Sequence, residues 1–411
     1  MPVLTPADKI NGYVFPVPLM KIVFVGPFGL QPKGTMSVRA LPLARALVGR
    51  GHTVSALIPP WDDPQRAGDT FIDGGVTVEN LPLPGPVPLL FHILLTRRLA
   101  ARALALRPDV VHLFKPKAYA GLAHLLLFWL RRLGGPAPRL VLDTDDWEQA
   151  WNDVLPYSAA QKRLFAWQER WGLAHADAVT AASRELVRLA ETVRGPHGIH
   201  YLPNGCRSGP NQPPPASGQA VRSRYGVGDA PLILLYSRFA EFRPGRIVAL
   251  VGQVAAQLPA ARWLVVGKGL YGEHTQLADQ LAEAGLSSTV HFAGWLPQEE
   301  LPGVFAAAGV AVHPYDNTPI NRAKCSVKLI DLLQAGLPVV ADAVGQNTEY
   351  IEDGVSGLLT PPEDDAAMAA SLVRLLQSPR LRESLGQAAC QRVTRHFNWS
   401  LLAQTAEKAY R

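Results

Sequence analysis

Three stretches hold side chains whose types and spacing suit a phosphate. In YSRFAEFRPGR (236–246), Arg238 and Arg243 stand five residues apart after an apolar run, where two guanidinium groups can grip a diphosphate in bidentate fashion. Solvated surface arginines would show the same spacing. In NRAKCSVKLIDLLQAGLPVV (321–340), Ser326 is placed to cap an amphipathic helix that Gly336 closes ahead of Pro338. Lys328 and Asp331 lie three residues apart on that helix and share a face. The helix start offers free amides to an anion, Lys328 adds charge, and Asp331 can accept both hydroxyls of a ribose; an exposed ion pair is the plainer reading. The third stretch, GPFGLQPKGT (26–35), follows the first strand pattern with three glycines, Gly34 among them, and Lys33. It lies where a first strand-to-helix turn meets an anion, without the GxGxxG spacing of a dinucleotide fold. A plain turn would look the same.

The elements that must position these residues alternate. KIVFVG (21–26) reads as a buried strand, RALPLARALVGRG (39–51) as a helix closed by glycine, and TVSALIP (53–59) as the next strand. A helix around 91–107, DVVHLF (109–114), a helix at 118–133, RLVLDT (139–144), ADAVTAAS (176–183) and HYLPN (200–204) continue the series. GCRSGPNQPPPASGQA (205–220) is too rich in Gly, Pro, Ser and Asn for a regular element and is assigned as a linker. A second series follows in PLILLYS (231–237), RWLVVGKG (262–269), TVHFAGW (289–295), VAVHPY (310–315) and LPVVADA (337–343). The pattern predicts an α/β chain of two Rossmann-like domains, 20–204 and 221–395, with ligands at the carboxyl ends of parallel strands. FNWSLLAQTAEKAY (397–410) predicts a final amphipathic helix within 396–411, capped by Asn398; it either stays on the second domain or crosses back to the first. Residues 1–19 carry no signal-peptide pattern and read as a tail, or as a misplaced start ahead of Met20.

At 411 residues the chain is too long for one core, and 48% apolar with 18% charged residues describes an ordinary soluble globular protein. A formal charge of +6 suits anionic substrates or acidic membrane and is too weak to suggest nucleic acid. Cys206, Cys325 and Cys390 are odd in number and far apart, which points to a reduced compartment and no structural metal. The run AYAGLAHLLLFWL (118–130) is shorter than the roughly 20 residues that span a bilayer. From Arg97 to Arg139 there are nine basic residues and one acidic residue, Asp109, a composition that would let this face rest on anionic membrane. A buried helix, apolar on all sides with solvated arginines at its ends, is the preferred reading.

With these pieces in place, the chain resembles family 4 of the glycosyltransferases, the retaining GT-B enzymes. YSRFAEFR is similar to the family's Gly-Arg-Leu-x-x-x-Lys, with Arg238 on the Arg and Arg243 on the Lys. LVVGKG (264–269), with Gly267, resembles the strand and glycine turn that approach the base. VHFAGWLPQEELPGVFAAAGVAVHPY (290–315) is similar to the strands and helix before the donor loop, and KLIDLLQAGLPVVADAVGQNTEYIEDGVSGLLTPP (328–362) to the family's Leu-Glu-Ala-Met-Ala-x-Gly-x-Pro-Val-Val block. GHTV (51–54), PDVVH (108–112) and YLPNG (201–205) match as well.

The resemblance implies a nucleoside-diphosphate sugar, with UDP or GDP, in the cleft between the domains. Arg238, Arg243 and the amides of Cys325, Ser326, Val327 and Lys328 would hold its diphosphate, and Asp331 would take the ribose as the second Glu of a Glu-x7-Glu motif. The first Glu falls on Ala323, which has no carboxylate, so Asp316, Asn317 or Lys324 would substitute. The His that many members place two residues past the PDVVH histidine is Phe114 here. Asp145 or Asp146 in DTDDWE (143–148) would then supply the catalytic contact to the sugar, and His112 would pack at a strand end.

The implied reaction is retaining transfer to a hydroxyl acceptor, a glycan or lipid-linked glycan, with no metal or other cofactor, in the cytoplasm or peripherally on the inner face of its membrane. A nucleotide-sugar epimerase of GT-B type and a non-catalytic nucleotide-sugar or membrane-binding module are the alternatives.

Overall fold

The computed structural model describes residues 9–10, 13–14, 18–31, 34–88, 90–206 and 215–411. A short antiparallel pair, β1 (Lys9–Ile10) and β2 (Tyr13–Val14), precedes two large sheets. The first holds β3 (Lys21–Val25), β4 (Thr53–Ile58), β5 (Thr70–Asp73), β6 (Val76–Asn80), β7 (Val110–Phe114), β8 (Arg139–Thr144), β9 (Ala178–Ala181) and β10 (Ile199–Tyr201), in the order β10-β9-β8-β7-β3-β4-β6-β5. The second holds β11 (Leu232–Tyr236), β12 (Arg262–Val266), β13 (Val290–Gly294), β14 (Val310–His313), β15 (Val339–Asp342) and β16 (Leu358–Thr360), in the order β13-β12-β11-β14-β15-β16. Within both sheets every pairing is parallel except β5 with β6. The fold is the expected α/β arrangement of two mostly parallel sheets with helices.

Parallel strands joined by helices are covered on both faces, so their residues are apolar without alternation; all five residues of β7 are buried. Period two still decides which core each side chain enters. In β3, Ile22 and Phe24 pack with the helix Leu41–Gly49, whereas Val23 and Val25 pack with the helices Leu90–Ala105 and Ala118–Arg132. In the second sheet Leu232 and Leu234 enter one core and Ile233 and Leu235 the other.

The helix Trp399–Ala409 settles the choice the sequence left open, because it packs on the first domain. Trp399, Leu402, Ala403, Ala406 and Ala409 share a core with Leu43, Leu47 and Phe24. The Asn398 side chain caps it by accepting from the Leu401 amide at 2.8 Å. Arg50 donates to Glu407 at 2.8 Å, and the Tyr410 hydroxyl lies 2.9 Å from Nδ1 of His112. His112 is fully buried and also meets the Thr180 hydroxyl at 3.1 Å. It is therefore a hydrogen-bonded member of the sheet interior, not a strand-end packing residue.

Two further expectations are corrected. The assigned linker does not run through residue 220: Pro215–Arg224 is a helix, with proline tolerated in its first turn. Gly218 lets this helix approach the helix Leu301–Ala307 so closely that an added Cβ would lie 2.8 Å from the Ala306 carbonyl. Residues 207–214 lie outside the described residues. The helix Ala118–Arg132 is not enclosed on all sides: Ala120, Ala123, Leu127 and Phe128 are buried, but Trp129 is 53% exposed and Leu133, just past its end, 82%. The helix lies against one sheet face and two neighbouring helices, which leaves its outer side to solvent.

Candidate functional site

The carboxyl ends of the two sets of parallel strands approach one another, and each carries a cluster of charges. On the second-domain side the chain leaves β11 through Ser237, Arg238 and Phe239. Ser237 Oγ donates to Glu241 at 2.9 Å and accepts from the Phe239 amide at 2.9 Å, a local turn that holds Phe239 at φ 65°. Glu241 is buried and paired with the Lys324 ammonium. Burial would raise the Glu241 carboxyl, but Lys324, Lys328 and the Ser237 hydroxyl outweigh it and hold it well below the usual carboxylate range.

Lys328 projects from the helix Val327–Gln334 with its ammonium 5.4 Å from the Tyr236 ring centroid. Its pKa is pushed down to about 8, first by burial and then by the charges of Lys324 and Arg238, with Glu241 and Asp331 opposing. Asp331 stands one turn on, near enough to Tyr236 and Lys328 to influence both. Ser326 caps this helix by accepting from the Leu329 amide at 3.3 Å, and Val327 is its first residue. Arg238 is exposed and forms no ion pair among the described residues. Gly267, after β12, has φ 121°, and a Cβ there would fall 1.8 Å from the Ser237 carbonyl oxygen; the position is glycine because two loops cross there.

The structure therefore gathers Arg238, Lys328, Asp331, Ser326, Val327 and the expected Lys324, and adds Glu241 to them. It places four other expected residues, Arg243, Asp316, Asn317 and Cys325, differently. Arg243 binds Asp316 at 3.0 Å and Glu363 at 2.7 Å, so its guanidinium is already satisfied by carboxylates. The buried Asp316 lies between Arg243 and Arg246, the latter at 2.9 Å, and Asn317 accepts from Arg322 at 3.2 Å. Each of these two side chains, expected in place of the carboxylate absent at Ala323, is in contact with an arginine. Lys324 is committed to Glu241. Cys325 is buried in the domain junction, where the Asn204 side chain donates to its carbonyl at 2.8 Å and Tyr350 meets its sulfur at 3.0 Å; burial pushes its thiol up to about 11.

On the first-domain side, Asp145 and Asp146 follow β8 and Lys115 follows β7. The Lys115 ammonium lies 2.9 Å from Asp145, 2.7 Å from Asp146 and 2.9 Å from Glu148. Lys117 adds a second contact to Glu148 at 3.0 Å. These three carboxylates come within 4.8 Å of one another, with an ammonium rather than open space between them. Thr35 donates to Asp145 at 2.9 Å, just past Gly34, whose carbonyl accepts from the Val38 amide at 2.8 Å. Lys33 lies outside the described residues. Asp145 is pushed up to about 6, chiefly by burial; Asp146 and Asp143 add to the rise, while Lys115 and Arg39 oppose it. Beneath the cluster, buried Arg39 grips Asp143 at 2.7 and 2.6 Å and reaches Asn204 at 3.1 Å.

The two clusters adjoin. Asp145 is close enough to Cys325, and Asp146 to Tyr315, to act on them electrostatically, and Trp147 packs against the second-domain core. Sequence reasoning passed over Lys115, Glu148 and Glu241, although KPK (115–117) after a strand and the acid inside SRFAEFR were visible signals. It also passed over Tyr271 and Trp295, which follow β12 and β13 and are 69% and 72% exposed.

Comparison with known proteins bears on the family and the fold. Residues 34–205 match the family described as Glycosyl transferase 4-like domain and residues 230–378 the family described as Glycosyl transferases group 1. The chain is 27% identical over 274 residues to the GDP-mannose-dependent alpha-(1-6)-phosphatidylinositol monomannoside mannosyltransferase of Mycolicibacterium smegmatis, covering 66% of this chain and 68% of that one. It is 25% identical over 404 residues to the phosphatidyl-myo-inositol mannosyltransferase of the same organism, covering 95% and 93%. Among solved structures, Anabaena HepE in complex with UDP and glucose superposes with a TM-score of 0.72 at 19% identity over 95% of this chain and 98% of that one. Sucrose-phosphate synthase from Thermosynechococcus elongatus gives 0.71 at 21% identity over 95% and 98%. The two family matches together take in most of the chain, and the protein belongs to family 4 of the glycosyltransferases, as an enzyme of GT-B type.

Proposed function

We propose that the protein is a retaining glycosyltransferase that moves a sugar from a nucleoside-diphosphate sugar, GDP-mannose being the first donor to try, to a hydroxyl of a lipid-linked or glycan acceptor. The observation that carries the reading is the cluster of Arg238, Lys324 and Lys328 around Glu241 at the carboxyl edge of the second sheet. Charge develops on the leaving diphosphate as the anomeric carbon becomes oxocarbenium-like, and cations already in place stabilise it without reorganisation. In this reading side chains neutralise the leaving group, and no metal is assigned a role. Asp331 takes the ribose, and Tyr271 and Trp295 offer exposed rings to the base, one and two strands along the sheet from the strand that leads to Arg238. Asp145 and Asp146 face the sugar from the other wall. The departing phosphate takes the acceptor proton on the face that the new bond enters, so no protein nucleophile is required.

The relatives named above act on phosphatidylinositol-based acceptors, and the first domain has a surface suited to a lipid interface. Val87, Leu90 and Ile93 are exposed beside Arg97 and Arg98, and Trp129 lies on the neighbouring helix, an apolar and cationic combination that favours anionic membrane. Among the described residues no helix is long and apolar enough to cross a membrane.

The test is a thermal-shift titration with GDP, UDP, ADP and CMP, run beside Arg238→Ala. Stabilisation by one diphosphate that vanishes in the variant is expected. A flat response to every nucleotide would count against the assignment of this cluster.

A further inference from the structure

The acidic wall contains a group that the proposed reaction does not yet use. Lys115 is 8% exposed and has φ 69°, a backbone conformation that costs a non-glycine residue on the order of 1–3 kcal/mol and persists where the surroundings enforce it. Its amide is fixed by the Asp143 carbonyl at 2.9 Å. The strained turn aims the side chain back between the β8 loop and the helix Glu148–Val154, where one ammonium contacts three carboxylates. Glu148 has a second cation in Lys117, and Glu169 fixes the same helix start by accepting from the Glu148 and Gln149 amides, each at 2.9 Å. Asp145 and Asp146 have no second ammonium within ion-pair distance among the described residues.

We propose that Lys115 is a positioning residue for the transfer reaction, holding Asp145 and Asp146 together, charged and turned toward the cleft, so that this wall receives an uncharged, hydroxyl-rich substrate. The inference rests on the reading of the cleft given above. Three carboxylates answered by two ammonium groups leave the wall with an excess of negative charge. Hydroxyl donors and the positive charge growing at an anomeric carbon are favoured there, and a phosphate-bearing group is repelled. Without Lys115 the two aspartates would repel one another, and one would take up a proton or turn away.

The groups that face Asp145 define the titration to be measured. Lys115 comes from the loop after β7, Asp146 and Asp143 from its own strand and loop, Arg39 and the Thr35 hydroxyl from the segment after Gly34, and Cys325 from the second domain. Of these, Lys115 is the largest favourable influence on the charged form.

The experiment compares the full-length protein with Lys115→Met and Lys115→Arg after selective 13C labelling of aspartate carboxyl carbons, with Asp145→Asn assigning the resonance. That resonance should titrate near pH 6 in the parent, at clearly higher pH in Lys115→Met, and close to the parent in Lys115→Arg. With GDP-mannose as the probe, kcat should fall roughly 100-fold in Lys115→Met, KM for the donor should stay within about threefold, and Lys115→Arg should recover most of the rate. An unmoved titration midpoint in Lys115→Met overturns the proposal, and so does a raised KM with kcat retained. If Lys115→Met does not fold, Lys115→Gln takes its place under the same two criteria. GDP stabilisation is read alongside: its absence in the parent sinks the assignment of the basic wall, whereas the carboxyl titration still decides the role of Lys115.

Discussion

The two walls of the cleft are built alike and charged oppositely. In each, the loop after a parallel strand holds a non-glycine residue at positive φ, Lys115 directly after β7 and Phe239 three residues after β11. In each, a buried ion cluster is centred on that residue or close to it, on Lys115 itself in the first wall and on Glu241, two residues past Phe239, in the second. On the first wall the charge at the centre is an ammonium ringed by Asp145, Asp146 and Glu148; on the second it is the carboxylate of Glu241, flanked by Lys324 and Lys328. The central group serves the same purpose in both, since it keeps like charges together in a space that would otherwise drive them apart or neutralise them. In the proposed reaction the wall that carries surplus positive charge is the one that receives the departing diphosphate, and the wall with surplus negative charge the one that receives the electron-poor sugar. Both sets of groups stand ready before the reaction begins.

The comparison can be broken at several points. The largest effect is expected beneath the acidic wall. Asp143→Ala leaves the Arg39 guanidinium buried and stripped of its bidentate partner, and should cost about 3–5 kcal/mol of stability in urea unfolding. Arg243→Ala removes an arginine that is 69% exposed and should cost no more than about 1 kcal/mol in the same measurement. Equal losses would mean that the buried pair is not what supports the wall. Next, Arg238→Ala should lower kcat/KM with GDP-mannose by about 2–4 kcal/mol of transition-state stabilisation, and an unchanged value would remove the basic wall from the mechanism.

Smaller effects sharpen the contrast. Lys328 has its pKa lowered to about 8, so it is charged below that pH and loses its charge as pH rises through it. GDP affinity should therefore fall on the order of tenfold between pH 7 and 9, and the fall should be absent in Lys328→Met; the same slope in the variant would assign the loss to another group. The smallest change is expected for Asp331→Asn, which retains one acceptor for a ribose hydroxyl and should weaken GDP binding by about 1 kcal/mol with kcat unaltered. A selective loss of kcat would contradict the ribose role.

What could be read from the sequence follows from the range of the interactions concerned. The parallel strands were visible because a strand covered on both faces is a run of apolar residues, and the helix after Ser326 because its cap, its amphipathic face and its closing glycine are all local. The β5–β6 hairpin was passed over, although Gly74 and Gly75, at φ 58° and 85°, mark the tight turn that joins it. The helix Ala159–His175 was passed over as well, despite the capping box of Ser158 and Gln161. Partner choice was not visible. Arg238 and Arg243 have the same side chain in the same motif, and only the fold brings Asp316 and Glu363, far along the chain, onto one of them. Lys115 and Asp145 are likewise joined by adjacent strands, not by sequence, and a charge cluster assembled from strand-end loops leaves no periodic trace.

The return of the helix Trp399–Ala409 to the first domain has a consequence for how the chain comes to be folded. Phe24 and Leu47 belong to the first domain, yet they share their core with Trp399, Leu402 and Ala406. During synthesis the first domain emerges long before those residues exist, and domains that lack part of their core expose apolar surface while they wait. The core of the first domain is thus completed only after residue 410 has left the ribosome and Tyr410 has reached His112.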